Sequence, residues 1–264
     1  MLNHTFVIPA FKESPYLESC ILNLKKQSVE SYIIITTSTP TSESAEIAKK
    51  YNLPFIINTT NDKGIGNDWN FALSQSKTKL ATIAHSDDIY EDNYTESILY
   101  FFKKYPKSSI LFTDYRDVIG NSIRSISLNY FVKKTLLLPF LLKKSHSSKF
   151  FKKSSLVFGD AICCPSVTLN LSLINNSNEL FSTEHKCVLD WLAWLKLAEE
   201  QGNFTFINKK LIQHRIHENS ETSVSLNSGI REKEEYETFK NIWGTRFAKV
   251  LMKFYSLGHK DNIV

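Results

Sequence analysis

Several groups of residues have types and spacings that could carry chemistry. His85-Ser86-Asp87-Asp88 follows an apolar run, Leu80 to Ala84, that predicts a buried strand. Two adjacent carboxylates at the carboxyl end of a strand repel unless a cation sits between them and an anionic ligand, and oxygen donors suit Mg2+ or Mn2+. An Asp-rich turn capping the next helix is the competing reading. Asp190 directly precedes Trp191-Leu192-Ala193-Trp194; there it either caps a helix or, among tryptophans, acts as general base toward an incoming hydroxyl. In His214-Arg215-Ile216-His217-Glu218 an extended backbone sends the two histidines to opposite faces. One is then a candidate ligand and the other a packed or hydrogen-bonded side chain. A zinc site from Cys163, Cys164, His185, Cys187 and these histidines is disfavoured, because no Cys-x-x-Cys pair is present.

The elements that must position these residues alternate in the first half of the chain. Thr5 to Ile8 predicts a strand stopped by Pro9, and Ser14-Pro15 an N-cap and first helical position before the stripe Leu17, Cys20, Ile21 and Leu24. Strands follow over Tyr32–Ile35, Phe55–Ile57, Leu80–Ala84 and Ile110–Phe112, with helices over Ser42–Tyr51, Asp68–Ser76 and Asn93–Tyr105 between them. That order implies right-handed βαβ units and a doubly wound α/β domain, whose ligands bind where loops converge beyond the strands' carboxyl ends. The loops to inspect are Pro9 to Glu13, Thr36 to Thr41, Asn58 to Asp68 and His85 to Asp92. None is a phosphate-binding Gly-rich loop, and Gly64-Ile65-Gly66 reads as a turn needing positive φ. After Asn121 the pattern becomes irregular: a basic helical segment over 129–153, a strand over Ala161–Asn170, a helix over Leu189–Glu199, paired strands Phe204–Ile207 and Leu211–Ile216, and helix from Glu232 to Tyr255.

Charge is uneven. The chain of 264 residues has 32 basic and 27 acidic side chains, a formal charge of +5, with 42% hydrophobic residues. This composition excludes disordered and coiled-coil classes. No acidic residue lies between Val118 and Gly159, where eight basic ones do; the remainder is slightly acidic. Within that stretch Lys133-Lys134, the apolar run Leu136–Leu142, and Lys143-Lys144 read either as a helical hairpin with solvated lysines or as an interfacial element meeting anionic headgroups. A nucleic-acid patch ranks below both, since no recognised binding module accompanies the charge, and no nucleic-acid partner is expected. The apolar run falls short of the roughly 20 residues that span a bilayer. Four cysteines and the lack of a secretory leader fit reduced thiols in the cytoplasm.

Taken in order, Phe6-Val7-Ile8-Pro9-Ala10-Phe11, His85-Ser86-Asp87-Asp88, Asp190 and Arg215-Ile216-His217 resemble the motifs of family 2 glycosyltransferases of the GT-A fold, over about Thr5 to Thr222. The resemblance implies an inverting transfer of a sugar from a nucleotide-sugar donor, UDP by family habit, to a hydroxyl acceptor. It implies nucleotide contacts at Pro9, Ala10, Phe11, Glu13, Thr37, Ser38, Asp68, His85 and Ser86, with Phe11 stacked on the base. A divalent metal, Mn2+ or Mg2+, is implied at Asp87, Asp88 and His217, and the base at Asp190. The chain departs from the pattern in Thr36-Thr37-Ser38-Thr39-Pro40, which lacks the acidic pair at the second strand's end; in Asp68-Trp69-Asn70, where Asp68 is the candidate for the missing carboxylate; and in His85, which replaces the first Asp of Asp-x-Asp. These departures resemble a bacterial capsule or surface-polysaccharide subgroup, which implies a cytoplasmic enzyme with a glycan or lipid-linked acceptor and a peripheral contact with anionic membrane. The expected organisation is a catalytic domain over 1–225, split into a donor half (1–117) and an acceptor half (118–225), with a helical extension over 226–264. A non-catalytic nucleotide-sugar-binding or assembly subunit is the alternative, and a nucleotidyltransferase is disfavoured for want of a Gly-rich loop.

Overall fold

The computed structural model describes residues 2–60, 62, 64–120, 122–124, 128–218, 220, 225 and 228–255. The predicted alternation is present as β1 (Thr5–Ala10), α1 (Leu17–Lys25), β2 (Tyr32–Thr37), α2 (Ser42–Lys50), β3 (Phe55–Ile57), α3 (Ile65–Ser74), β4 (Leu80–Ile83), β5 (Ile89–Tyr90), α4 (Tyr94–Lys104) and β6 (Ser108–Ile119). The second half contains β7 (Ser122–Ile123), α5 (Leu128–Leu136), α6 (Leu138–Leu142), β8 (Ser145–His146), α7 (Lys149–Ser154), β9 (Val167–Asn170), α8 (Leu189–Glu199), β10 (Asn203–Ile216), α9 (Ile230–Trp243) and α10 (Thr245–Tyr255).

These strands form a mostly parallel sheet in the order β3-β2-β1-β4-β9-β6-β10-β5. β3, β2, β1 and β4 pair in parallel, β9 runs antiparallel between β4 and β6, and β6 and β10 are parallel again. Alternation along β1 shows why both faces are covered: Phe6 and Ile8 join one apolar cluster with Leu17, Ile21 and Ile98, while Val7 joins the other with Trp69, Phe112 and Trp194. Each such fully buried side chain contributes roughly 1.5–3 kcal/mol. Phe239 and Ala248 belong to the second cluster, so α9 and α10 share the same core.

Local expectations fail where a nonlocal partner decides. The two strands expected over 204–216 are one strand, β10, running beside β6 with register shifts around Ile207 and Lys210; Asn208-Lys209 offers no Gly or Pro to turn the chain, so it bulges instead. Pairing with β10 also extends β6 far beyond Ile110–Phe112. Only the second half of Ala161–Asn170 is strand, because Pro165 puts Cys164–Ser166 into a 3-10 turn. Ser14-Pro15 forms a turn rather than a cap, and α1 starts at Leu17. Helix α3 begins before Asp68, after Gly64 at φ +122°. Gly66 serves a different need, since a Cβ there would overlap the Ser182 carbonyl. Gly244, at φ +76°, divides the C-terminal helix in two.

The basic segment is helical but not uniformly solvated. Phe140 is buried, and Lys134 pairs with Asp114 at 2.7 Å. Lys152 is fully buried and donates to the carbonyls of Leu197, Glu200 and Gly202 at 3.3, 2.7 and 3.2 Å, closing the C-terminus of α8. Lys133 turns inward too, its ammonium 5.5 Å from the Tyr115 ring centre. The expectation that the lysines flanking Leu136–Leu142 face solvent or headgroups is therefore wrong for Lys133 and Lys134. Among the described residues no helix is long and apolar enough to cross a membrane.

Candidate active site

The carboxyl end of β4 runs into His85-Ser86-Asp87-Asp88, and the end of β10 holds that turn in place. The Arg215 amide donates to Asp88 Oδ1 at 2.9 Å, and its Nε donates to the Asp87 carbonyl at 2.9 Å while the guanidinium lies 4.6 Å over the Tyr16 ring. His217 Nε2 meets Asp87 Oδ2 at 3.0 Å, and His214 Nδ1 meets Asp117 Oδ1 at 3.0 Å. Both histidines thus reach the acidic cluster: His214 from within the strand, and His217 from just beyond its end, where the expected alternation of faces no longer applies.

Ligand atoms of His85, Asp87 and Asp88 lie within 4.8 Å of one another. His85 Nε2 and Asp88 Oδ2 are buried without a hydrogen-bond partner. Burial pushes the Asp88 carboxyl up to about 7, with the Asp87 charge adding to the effect, while His214 and the Arg215 contacts oppose it. Burial also works against ionised Asp87, but His217, His85 and His214 outweigh it and hold that carboxyl below its usual value. His85 is brought down to about 4, chiefly by burial, and is neutral at pH 7. An unpartnered imidazole nitrogen beside two carboxylates is a donor set that a divalent cation fits. His85 joins Asp87 and Asp88 in this set, and His217, expected as a further ligand, meets Asp87 beside it.

Asp190 lines the same cavity as this turn, a space of about 300 Å³. It is the second residue of α8 rather than its cap, and its Oδ1 accepts from the Trp191 amide at 2.8 Å. Among the described residues no side chain caps the N-terminus of the helix; the Glu234 carboxylate of α9 instead accepts from the amides just ahead of its start, those of Lys186, Cys187 and Val188, at 3.0, 2.9 and 3.4 Å. Burial raises the Asp190 carboxyl, and Arg231 and Lys133 oppose the rise. Asp160 lines the same cavity and is raised by burial and by the Asp190 charge. Lys133, Arg231, Glu235 and Tyr255 complete this end, with Glu235 accepting from Arg231 Nε at 2.7 Å.

Of the residues expected at the site, Pro9, His85, Ser86, Asp87, Asp88 and Asp190 line the cavity. Ser38 and Asp68 form a neighbouring group: Ser38 Oγ and Asn58 Nδ2 donate to the Asp68 carboxylate at 2.8 and 3.2 Å. The Phe11 ring is 59% exposed, enough to receive a stacked ring, and Lys12 beside it is pinned to Thr39 Oγ1 at 2.7 Å with φ +53°. Glu13 is exposed; the side chains of Ala10 and Thr37 are buried, so Ala10 can offer a ligand only backbone. Trp69 packs 5.0 Å from His85, and Asn70 makes paired 2.9 Å bonds with the Phe181 backbone, tying α3 to the loop before α8. Sequence reasoning missed Asp117, Asp160, Arg231 and Glu235; Asp117 and Asp160 bound the acid-free stretch, but that position alone did not mark either as part of a site. The four cysteines form no disulfide, and among the described residues they form no metal-ligating group with His185.

Residues 5–169 match the family model for Glycosyl transferase family 2. The crystal structure of S. aureus TarS 1-349 in complex with UDP-GlcNAc superposes with a TM-score of 0.69 at 16% identity, covering 99% of this chain and 74% of that one. The mannosyltransferase PcManGT from Pyrobaculum calidifontis in complex with GDP-Man and Mn2+ gives 0.64 at 11% identity, covering 97% and 75%. These likenesses establish the GT-A fold. Comparison with curated protein sequences gives no match.

Proposed function

This chain belongs to glycosyl transferase family 2, and from that premise we propose that it is an inverting glycosyltransferase moving a sugar from a nucleotide-sugar, preferentially a UDP-sugar, to a hydroxyl of a glycan or lipid-linked acceptor. The observation that carries the reading is that one cavity is lined by Asp87, Asp88 and Asp190, residues far apart in the chain. The TarS complex with UDP-GlcNAc and the PcManGT complex with GDP-Man and Mn2+ support a nucleotide-sugar donor on this fold.

In this reading Asp87 and Asp88, with His85, hold Mn2+ or Mg2+, while His217 and Arg215 fix the carboxylates. The metal, when bound, supplies positive charge against the departing nucleoside diphosphate. Phe11 stacks on the base, and Pro9, Ala10, Glu13, Thr37, Ser38, Ser86 and Asp68 form the nucleoside contacts, Asp68 standing in for the absent acidic pair. Asp190 takes the proton of the acceptor hydroxyl as that oxygen bonds to the anomeric carbon and the bond from that carbon to the diphosphate oxygen breaks. Burial raises the Asp190 carboxyl and so strengthens it as a base, while the Trp191 amide, Arg231 and Lys133 oppose the rise. The donor half spans 1–117, the acceptor half 118–225, and the 226–264 extension adds Arg231, Glu235 and Tyr255 to the acceptor wall. The departures from the family pattern favour surface-polysaccharide synthesis by a cytoplasmic enzyme at the inner membrane face.

Asp190→Asn tests the base. Transfer should fall by about 10²–10⁴-fold while UDP binding, read by thermal shift, is retained; full transfer in the variant would refute the assignment. A wild-type chain that binds UDP but transfers from no donor would instead be the non-catalytic subunit.

A further inference from the structure

The acid-free stretch between Val118 and Gly159 has a counterpart late in the chain. From Thr238 to Tyr255 there are four basic residues, Lys240, Arg246, Lys249 and Lys253, and no acidic one. The fold joins the two. Phe158 stacks on Trp243 with ring centres 5.1 Å apart, Trp243 Nε1 donates to the Val157 carbonyl at 2.6 Å, and Trp243 in turn lies 5.4 Å from Phe247. Gly159 lies directly against the Tyr255 ring, where any Cβ would collide with it. On the other side, α7 connects to α6 through Phe151, His146 and Phe140, with ring centres 4.7 and 5.0 Å apart.

Helix α10 carries three stripes at helical spacing. Ala248, Leu251, Met252 and Tyr255 face the core. Phe247, Val250 and Phe254 form a second apolar stripe that is exposed, and Arg246, Lys249 and Lys253 form a third that is basic and exposed. The second stripe adds nothing to the core, yet Phe254 is 70% exposed; from the joined segment, Leu142 and Phe150 project further, at 91% and 74%. Lys143 is exposed beside Leu142, whereas the Lys144 ammonium lies 5.3 Å from the Phe101 ring centre and Lys149 and Lys153 are paired with Glu199.

We propose that α10, together with the exposed tips of α6 and α7, forms a docking surface for an anionic lipid bilayer, with Leu142, Phe150, Phe158, Phe247, Val250 and Phe254 entering the headgroup layer and Arg246, Lys249 and Lys143 meeting its charge. Exposed apolar side chains on separate elements with cations between them suit an interface that needs no shape-matched groove, and the absence of acidic residues from both stretches selects an anionic layer over a neutral one. The inner stripe of the same helix contributes Tyr255 to the cavity holding Asp190, so docking brings the acceptor end of the cavity to the bilayer. That last step rests on the transferase reading; the surface itself does not. The lysines at 133 and 134, which the sequence offered for this role, are occupied inside the protein.

The test is co-sedimentation of the full chain with phosphatidylcholine vesicles, with and without phosphatidylglycerol at about a third of the lipid. The wild type should bind the anionic vesicles and release in high salt. Phe247→Ser with Phe254→Ser should lower binding by about tenfold, as should Arg246→Gln with Lys249→Gln, both keeping the wild-type melting temperature and UDP thermal shift. Equal binding by the variants, no binding by the wild type, or a concentration-dependent dimer that the Phe variants dissociate while vesicles stay unbound would each overturn the proposal. Lost UDP binding in the wild type would overturn the transferase reading and leave the surface standing.

Discussion

His4 lies outside the cavity and shows how strongly one buried side chain can couple the fold to pH. It is fully buried, with Nδ1 3.0 Å from Ser31 Oγ and Nε2 2.9 Å from Thr82 Oγ1, and burial lowers its pKa from 6.5 to about 3. Above pH 6.5 the imidazole is neutral in both folded and unfolded chains, and its contribution is intact. Below that value the unfolded chain binds a proton that the folded one refuses until about pH 3, so stability falls as pH falls, by about 1.4 kcal/mol per pH unit through this window. Denaturant unfolding across the window should give a shallower pH slope for His4→Gln than for the wild type, by close to one proton; identical slopes would show that His4 titrates normally. At this scale much of the candidate site was legible. Asp87, Asp88 and Asp190 stood out because each sits at the end of a strongly patterned apolar run. Asp117 and Asp160 did not, because what distinguishes them is a partner elsewhere in the chain: His214 for one, Asp190 for the other.

Elements position these residues through contacts at their ends. Helix α8 spans the predicted Leu189–Glu199 because its apolar residues alone define it, but its two ends are fastened by residues that no local pattern reveals. Lys152 closes the C-terminus, and Glu234 receives the amides ahead of the N-terminus. Removing the Glu234 charge should cost about 0.5–2 kcal/mol and, because Asp190 is in the first turn, should lower kcat more than donor affinity. Urea unfolding of Glu234→Gln, with UDP binding measured alongside, checks this; unchanged stability and kcat would mean that the helix start is held without it. The misread β10 follows the same logic in reverse. Two apolar runs separated by Asn208-Lys209 look like two strands, and only the pairing of both runs with β6 makes them one.

At the scale of the molecule, the cavity wall runs from Pro9 to Tyr255, so a ligand bound there resists unfolding of the whole chain and not of one lobe. UDP with Mn2+ at about a hundredfold excess over Kd should stabilise the fold by about 2.7 kcal/mol, and chelation should remove the metal-dependent part; a panel with GDP and CDP identifies the base, and no shift with any nucleotide would contradict the donor site. The family match ends at Leu169, yet Asp190, Arg215, Arg231 and Tyr255 all lie beyond it. By itself the sequence determined the alternating α/β order, the carboxylates at the strand end and the helix bearing Asp190, since periodicity and motif spacing are local properties of the chain. Only the tertiary structure decided the rest. It made His85 a partner of the two aspartates, gave Asp190 its neighbours, turned Lys133, Lys134 and Lys152 inward, and brought two acid-free stretches into contact through Phe158 and Trp243. Those outcomes depend on which distant side chains share a low-dielectric space, where charges must be paired or neutralised and where cations and exposed aromatics add up only if the chain brings them to the same side.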